Sequence, residues 1–166
     1  VEALIKKQIM LESTELSFNN IGPSKAEQQL ALFRITTLIL ALDIGYNIGT
    51  LTLDHVLETH PKLKSVKFWG NKIGDSGIQA LAKALETHPK LESIDLNDNN
   101  IGASGAKALA QALETNQTLK SINLKSNYIG NSGAQALAQV LKKNSTLTSI
   151  KLQCNFIDAS GKKALA

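Results

Sequence analysis

The sequence predicts an α/β solenoid, in which parallel strands line the inside of a horseshoe arc and helices line the outside. Three observations lead there. Six asparagines, Asn19, Asn47, Asn71, Asn99, Asn127 and Asn155, each follow a short apolar run and precede an Ile, and the last four stand 28 residues apart. The runs before them alternate, as in Leu91-x-x-Ile94-x-Leu96, which puts the apolar side chains of a short strand on one face. Beyond each asparagine, apolar residues such as Ala108, Leu109, Ala112 and Leu113 recur at helical spacing. One such strand and helix cannot bury both apolar faces alone, so successive copies must stack.

Taken in order, residues 1–10 match the helix end and loop that close an upstream repeat. Repeats then begin at Leu11, Ile39, Leu63, Leu91, Leu119 and Leu147, at spacings of 28, 24, 28, 28 and 28. The unit at Leu11 is irregular, with Pro23, Gln28 and Gln29 where later copies carry small or apolar residues. The unit at Ile39 is four residues short and loses most of its Gly-x-Ser-Gly segment, so a shorter helix and a local change of curvature are expected there. In the regular units the asparagine falls where the chain bends. There it can satisfy main-chain groups of adjacent turns and build a ladder. Gly105 and Ala108 let a helix lie close to its neighbours, and Ser104 and Asp75 fall near helix starts as candidate caps. The last unit stops in mid-helix at Leu165-Ala166. The whole of 1–166 reads as a single array of about six repeats, the last truncated, and as a fragment of a longer one.

The unit Leu91-x-x-Ile94-x-Leu96-x-x-Asn99-x-Ile101-Gly102 resembles the leucine-rich repeat family, whose pattern is L-x-x-L-x-L-x-x-N/C-x-L. Its 28-residue length and Gly-Ala-x-Ala-Leu-Ala helix are similar to the ribonuclease-inhibitor-like subfamily, and the wording to the arrays of NOD-like receptors. Members of this family mostly bind proteins, so the resemblance implies a protein partner.

Composition narrows the classes. The single cysteine, Cys154, excludes an intrachain disulfide and fits a reducing, cytoplasmic setting, or a host cytosol for a bacterial effector. No apolar run approaches the roughly 18 residues of a membrane span. Net charge is +4, but residues 119–166 hold seven basic groups and one acidic. Arg34 is the only arginine, which argues against specific nucleic-acid reading, because bidentate base contacts lean on Arg. Asn116-Gln117-Thr118 and Asn144-Ser145-Thr146 match glycosylation acceptors and read as products of the repeat.

Residues that resemble chemistry read better as scaffold. The Gly-x-Ser-Gly copies at Gly74, Gly102 and Gly130 lack the spacing of a nucleophile elbow. His60 and His88 occupy the same slot of a repeated loop, and neither has a partner at metal-ligand spacing. No catalytic residue, metal, cofactor or small-molecule substrate is expected.

Function then rests on the residues displayed between the leucines. One column runs Glu15, Asp43, Lys67, Asp95, Asn123, Lys151, and the next Ser17, Gly45, Trp69, Asn97, Lys125, Gln153. Phe18, Tyr46 and Trp69 come from successive units at the same end of the strands, either as interface anchors or as packing that covers the short unit. Glu92, Asp95 and Asp98 form an acidic layer, and Lys120, Lys125 and Lys151 a basic region beyond it. The expectation is a non-catalytic module that binds a protein on its concave face through Phe18, Tyr46, Trp69, Asp43, Lys67, Glu92, Asp95, Asp98, Lys125 and Lys151. Alternatives are a GTPase-activating role resembling the Ran GTPase-activating protein, through Asn71-Lys72, Asn99-Asn100 and Arg34, and a structural scaffold.

Overall fold

A computed structural model describes residues 57, 58 and 60–166 in full, and 14–17 and 37–41 by their backbone. Phe18, Asn19, Arg34, Asp43, Tyr46 and Asn47 lie outside the described residues. Strands β1 (Thr14–Ser17), β2 (Thr37–Ala41), β3 (Ser65–Lys67), β4 (Ser93–Asp95), β5 (Ser121–Asn123) and β6 (Ser149–Lys151) form one parallel sheet in sequence order. Helices α1 (Gly74–Thr87), α2 (Ala103–Thr115), α3 (Gly130–Leu141) and α4 (Ala159–Leu165) follow β3 to β6. Each helix packs on the next, as each strand does. Four strand–helix units are thus described.

Alternation along each strand produces this layering. In the unit from Leu91, Ile94 and Leu96 are buried while Ser93 and Asp95 on the opposite face are half-exposed. Stacking places Leu63, Leu91 and Leu119 in one buried column, with Val66, Ile94 and Ile122 in a second and Phe68, Leu96 and Leu124 in a third. Helix residues Leu81, Leu109 and Leu137 close the same core from the other side. Pairing runs on past the strands, with Phe68 N donating to Asp95 O at 2.8 Å and Gly70 N to Asn97 O at 3.0 Å.

The register corrects one expectation. Ile39 pairs with Lys67 and with Glu15, not with the opening leucine at 63. The 24-residue step therefore falls between β1 and β2, and the regular 28-residue step between β2 and β3. The reason is legible afterwards. Leu38-Ile39-Leu40 is an unbroken apolar run in which a period of two cannot fix the frame. Thr37, opposite Ser65, is the hydroxyl residue that does. Asp43, expected level with Lys67, gives that place to Ile39.

Helix spacing depends on glycine. A Cβ on Gly133 would lie 2.6 Å from Ile129 Cγ2 and 2.9 Å from Ala106 Cβ on α2. The capping chemistry also differs from expectation. Ser104 is exposed in the first turn of α2, and no side chain at the N-cap of α2 caps it. Asp75 instead serves the next unit, its Oδ1 accepting from Gly102 N at 2.7 Å and Gly105 N at 2.9 Å. A cap that reaches across units ties helix starts together as well as satisfying free amides.

Candidate functional site

The strand-to-helix bends form a rim held by asparagine. Asn71, Asn99, Asn127 and Asn155 are all buried. Asn127 Oδ1 accepts from Asn99 N at 3.0 Å and Ile101 N at 2.9 Å in the preceding unit. Its Nδ2 donates to Leu96 O, Leu124 O and Lys125 O at 2.9–3.1 Å. Asn99 repeats the pattern, accepting from Asn71 N and donating to Phe68 O and Asn97 O. Left-handed residues bracket the bend. Asp98, Ser126 and Cys154 precede the asparagine, and Lys72, Asn100 and Phe156 follow it, at φ between +49° and +57°. Such a conformation costs of order 1 kcal/mol for a residue with a Cβ, so the ladder must over-determine the bend.

A second ladder, not foreseen, stitches the opposite bends. His88 Nδ1 accepts from Lys90 N and Leu91 N at 3.3 and 3.1 Å, which puts the proton on Nε2, donating to His60 O at 3.2 Å. Asn116 occupies the same slot, its Oδ1 accepting from Thr118 N and Leu119 N and its Nδ2 donating to Leu85 O. Asn144 copies it, donating to Leu113 O at 2.7 Å. The glycosylation-like triplets are therefore rungs, with their amides committed inside the array. Burial lowers the pKa of His88, opposed by its bond to His60. Its folded pKa lies below the unfolded one, so stability is full above the unfolded value near 6.5 and declines as pH falls through the folded value. Since asparagine makes the same bonds without titrating, His88→Asn should melt like wild type at pH 8. It should lose less than wild type between pH 7 and pH 5, as followed by circular dichroism.

On the opposite face of the strands, Lys67, Asp95, Asn123 and Lys151 stand in register on β3 to β6. Lys67, Lys125 and Lys151 are exposed, as is Asp98. The expected acidic layer is altered by its neighbours. Glu92 pairs with Lys120 at 2.7 Å, and that lysine holds its carboxyl below the usual range. Asp95 Oδ1 accepts from Asn123 Nδ2 and Asn97 N, both at 3.0 Å. Charges placed in separate zones by the sequence reading thus meet across neighbouring units. Asn97 Oδ1, between Trp69 and Lys125 in its row, is buried without a hydrogen-bond partner.

Among the described residues the exposed aromatics are Trp69, at 49% exposure, Tyr128 at 58% and Phe156 at 75%. Tyr128 and Phe156 stack with centroids 5.6 Å apart and ring planes 10° from parallel. The sequence reading missed this pair. Its signal was the column after the ladder asparagine, Lys72, Asn100, Tyr128 and Phe156, which turns polar residues into aromatics over the last two units. Among the described residues no group of three or more His, Cys, Asp and Glu could hold a metal, and no helix is long and apolar enough to cross a membrane.

Parallel strands, helices on the other layer and buried asparagines bonding across turns define a leucine-rich repeat array. The chain belongs to the TMOD/LMOD leucine-rich domain family, whose profile matches residues 46–164. Among solved structures it is similar to the actin-binding site 2 of leiomodin-1, at 18% identity and a TM-score of 0.66, over 98% of this chain and 82% of that one. A tropomodulin C-terminal domain from Caenorhabditis elegans matches at 17% identity and a TM-score of 0.45, over 68% of this chain and 86% of that one. No curated protein sequence matches.

Proposed function

We propose that the chain is a non-catalytic interaction module whose strand face, the concave side of the arc, receives a protein partner, and that this partner is actin. Membership of the TMOD/LMOD leucine-rich domain family carries the reading, and the actin-binding site named in the leiomodin-1 structure supplies the partner. The face suits a protein. Trp69 stands half-exposed beside the mixed row Lys67, Asp95, Asn123 and Lys151, an anchor with a polar surround. Two further repeats, opened by β1 and β2, complete an array of about six, and the 28-residue period remains similar to the ribonuclease-inhibitor-like type. A cytoplasmic setting follows from the partner. Asn71 and Asn99, which the GTPase-activating alternative would use, spend their side-chain amides in the ladder, and no observation favours that role or a pure scaffold.

Titrating fluorescently labelled actin monomers with the chain tests this. Wild type should bind saturably. Trp69→Ala should weaken binding by over 1 kcal/mol, roughly fivefold or more, and Lys67→Glu should act in the same direction. Absence of binding, or equal binding by both variants, overturns the reading.

A further inference from the structure

The last two described units carry a surface that the first two lack. From residue 115 to residue 157 there is no Asp or Glu, while five lysines occur. Lys120 among them is paired with Glu92, but Lys125 and Lys151 are exposed on the strand face. Lys151 ends β6, and Lys125 lies two residues past the end of β5, whose Asn123 pairs with Lys151. The Tyr128–Phe156 stack follows in the bends after these strands, Tyr128 three residues beyond Lys125 and Phe156 five beyond Lys151 in sequence. Tyr128 is 58% exposed although β6 and the last helix follow it. Asp98 of the preceding unit lies beside Lys125, its N donating to Lys125 O at 3.0 Å, but neither Lys125 nor Lys151 forms an ion pair among the described residues. Two stacked, exposed rings near two such lysines leave apolar area and positive charge open to a partner.

We propose that Tyr128, Phe156, Lys125 and Lys151 form a docking surface for an extended acidic segment of a protein partner, one that carries an aromatic or aliphatic side chain. The apolar side chain covers the ring pair while carboxylates meet the two lysines. A nucleic acid fits less well, because the rings already occupy each other's inner faces and the site offers lysine rather than arginine. A membrane needs a broader apolar surface than two rings supply. This rests on the strand face being an interaction surface and adds a second partner chemistry at its other end.

The probe is a library of random 12-residue peptides displayed on phage and selected on the full chain. Enriched peptides should combine Asp or Glu with an aromatic or aliphatic residue, and their binding should weaken in high salt. Tyr128→Ala/Phe156→Ala and Lys125→Gln/Lys151→Gln should each weaken the selected peptides by about fivefold or more, with melting temperatures near wild type because all four side chains are exposed. The proposal is overturned if enriched peptides lack acidic residues or bind both double variants as tightly as wild type. Equal or tighter binding of oligothymidine, or of vesicles with 30% phosphatidylserine, to the same four residues overturns it as well. The actin titration separates the two readings: its failure with wild type sinks actin as partner, while the peptide selection stands or falls on its own.

Discussion

Asn127→Ala should lower the melting temperature by roughly 6–12 °C. The side chain is 1% exposed and serves five main-chain groups, accepting from Asn99 N and Ile101 N and donating to Leu96 O, Leu124 O and Lys125 O. Alanine leaves several of these buried without partners, at about 1–3 kcal/mol for each orphaned group before relaxation or water entry relieves part of it. A net loss of about 3 kcal/mol is then expected, and each kcal/mol moves the melting temperature of a chain this size by about 2–4 °C. Gln111→Ala, on the exposed side of α2, should stay within about 0.5 kcal/mol. Equal melting of the two variants would show that water or backbone adjustment replaces the rung.

Gly133→Val should destabilise by a similar amount for a different reason. Position 133 has ordinary helical backbone, so the loss does not come from torsional strain. It comes from space, because the first added carbon already meets Ile129 Cγ2 at 2.6 Å and Ala106 Cβ at 2.9 Å. Neither neighbour has room to retreat, since Ala106 and Ile129 are fully buried. Overpacking of this kind typically costs 1–3 kcal/mol, and valine adds two further methyls, so about 3 kcal/mol is expected. Because each unit touches only its neighbours, the damage should be local. Hydrogen exchange should quicken in α2 and α3 more than in α1. Uniform loss of protection would mean that the described units fold as one block.

These two positions show what was legible in the sequence. The 28-residue period and the alternation around Ile94 and Leu96 specified the parallel strands and the helices, because burial repeats with the sequence. Asn99 announced its ladder through its fixed place at the bend. The second ladder was hidden because His88, Asn116 and Asn144 share a hydrogen-bond pattern without sharing an amino acid. The frame of β2 was misread because its apolar run has no internal phase, and only cross-strand pairing supplies one.

The candidate site was less legible for a related reason. Displayed residues are the ones that escape the repeat, so periodicity locates their columns but not their partners. Glu92 and Lys120 belong to different units, and only stacking shows that each neutralises the other. Tyr128 and Phe156 lay three residues beyond the outer column of Lys125 and Gln153, on the far side of the ladder asparagine, where a bend rather than a strand sets the direction.

Hydrogen–deuterium exchange of the chain with and without saturating actin tests the central claim most directly, since it reports where a partner sits without any substitution. The expected result is slowed exchange along β3 to β6 and the rim that follows them, with α1 to α3 unchanged on their exposed side. Protection confined to the helices, or none on the strand face under conditions where actin is bound, would contradict it.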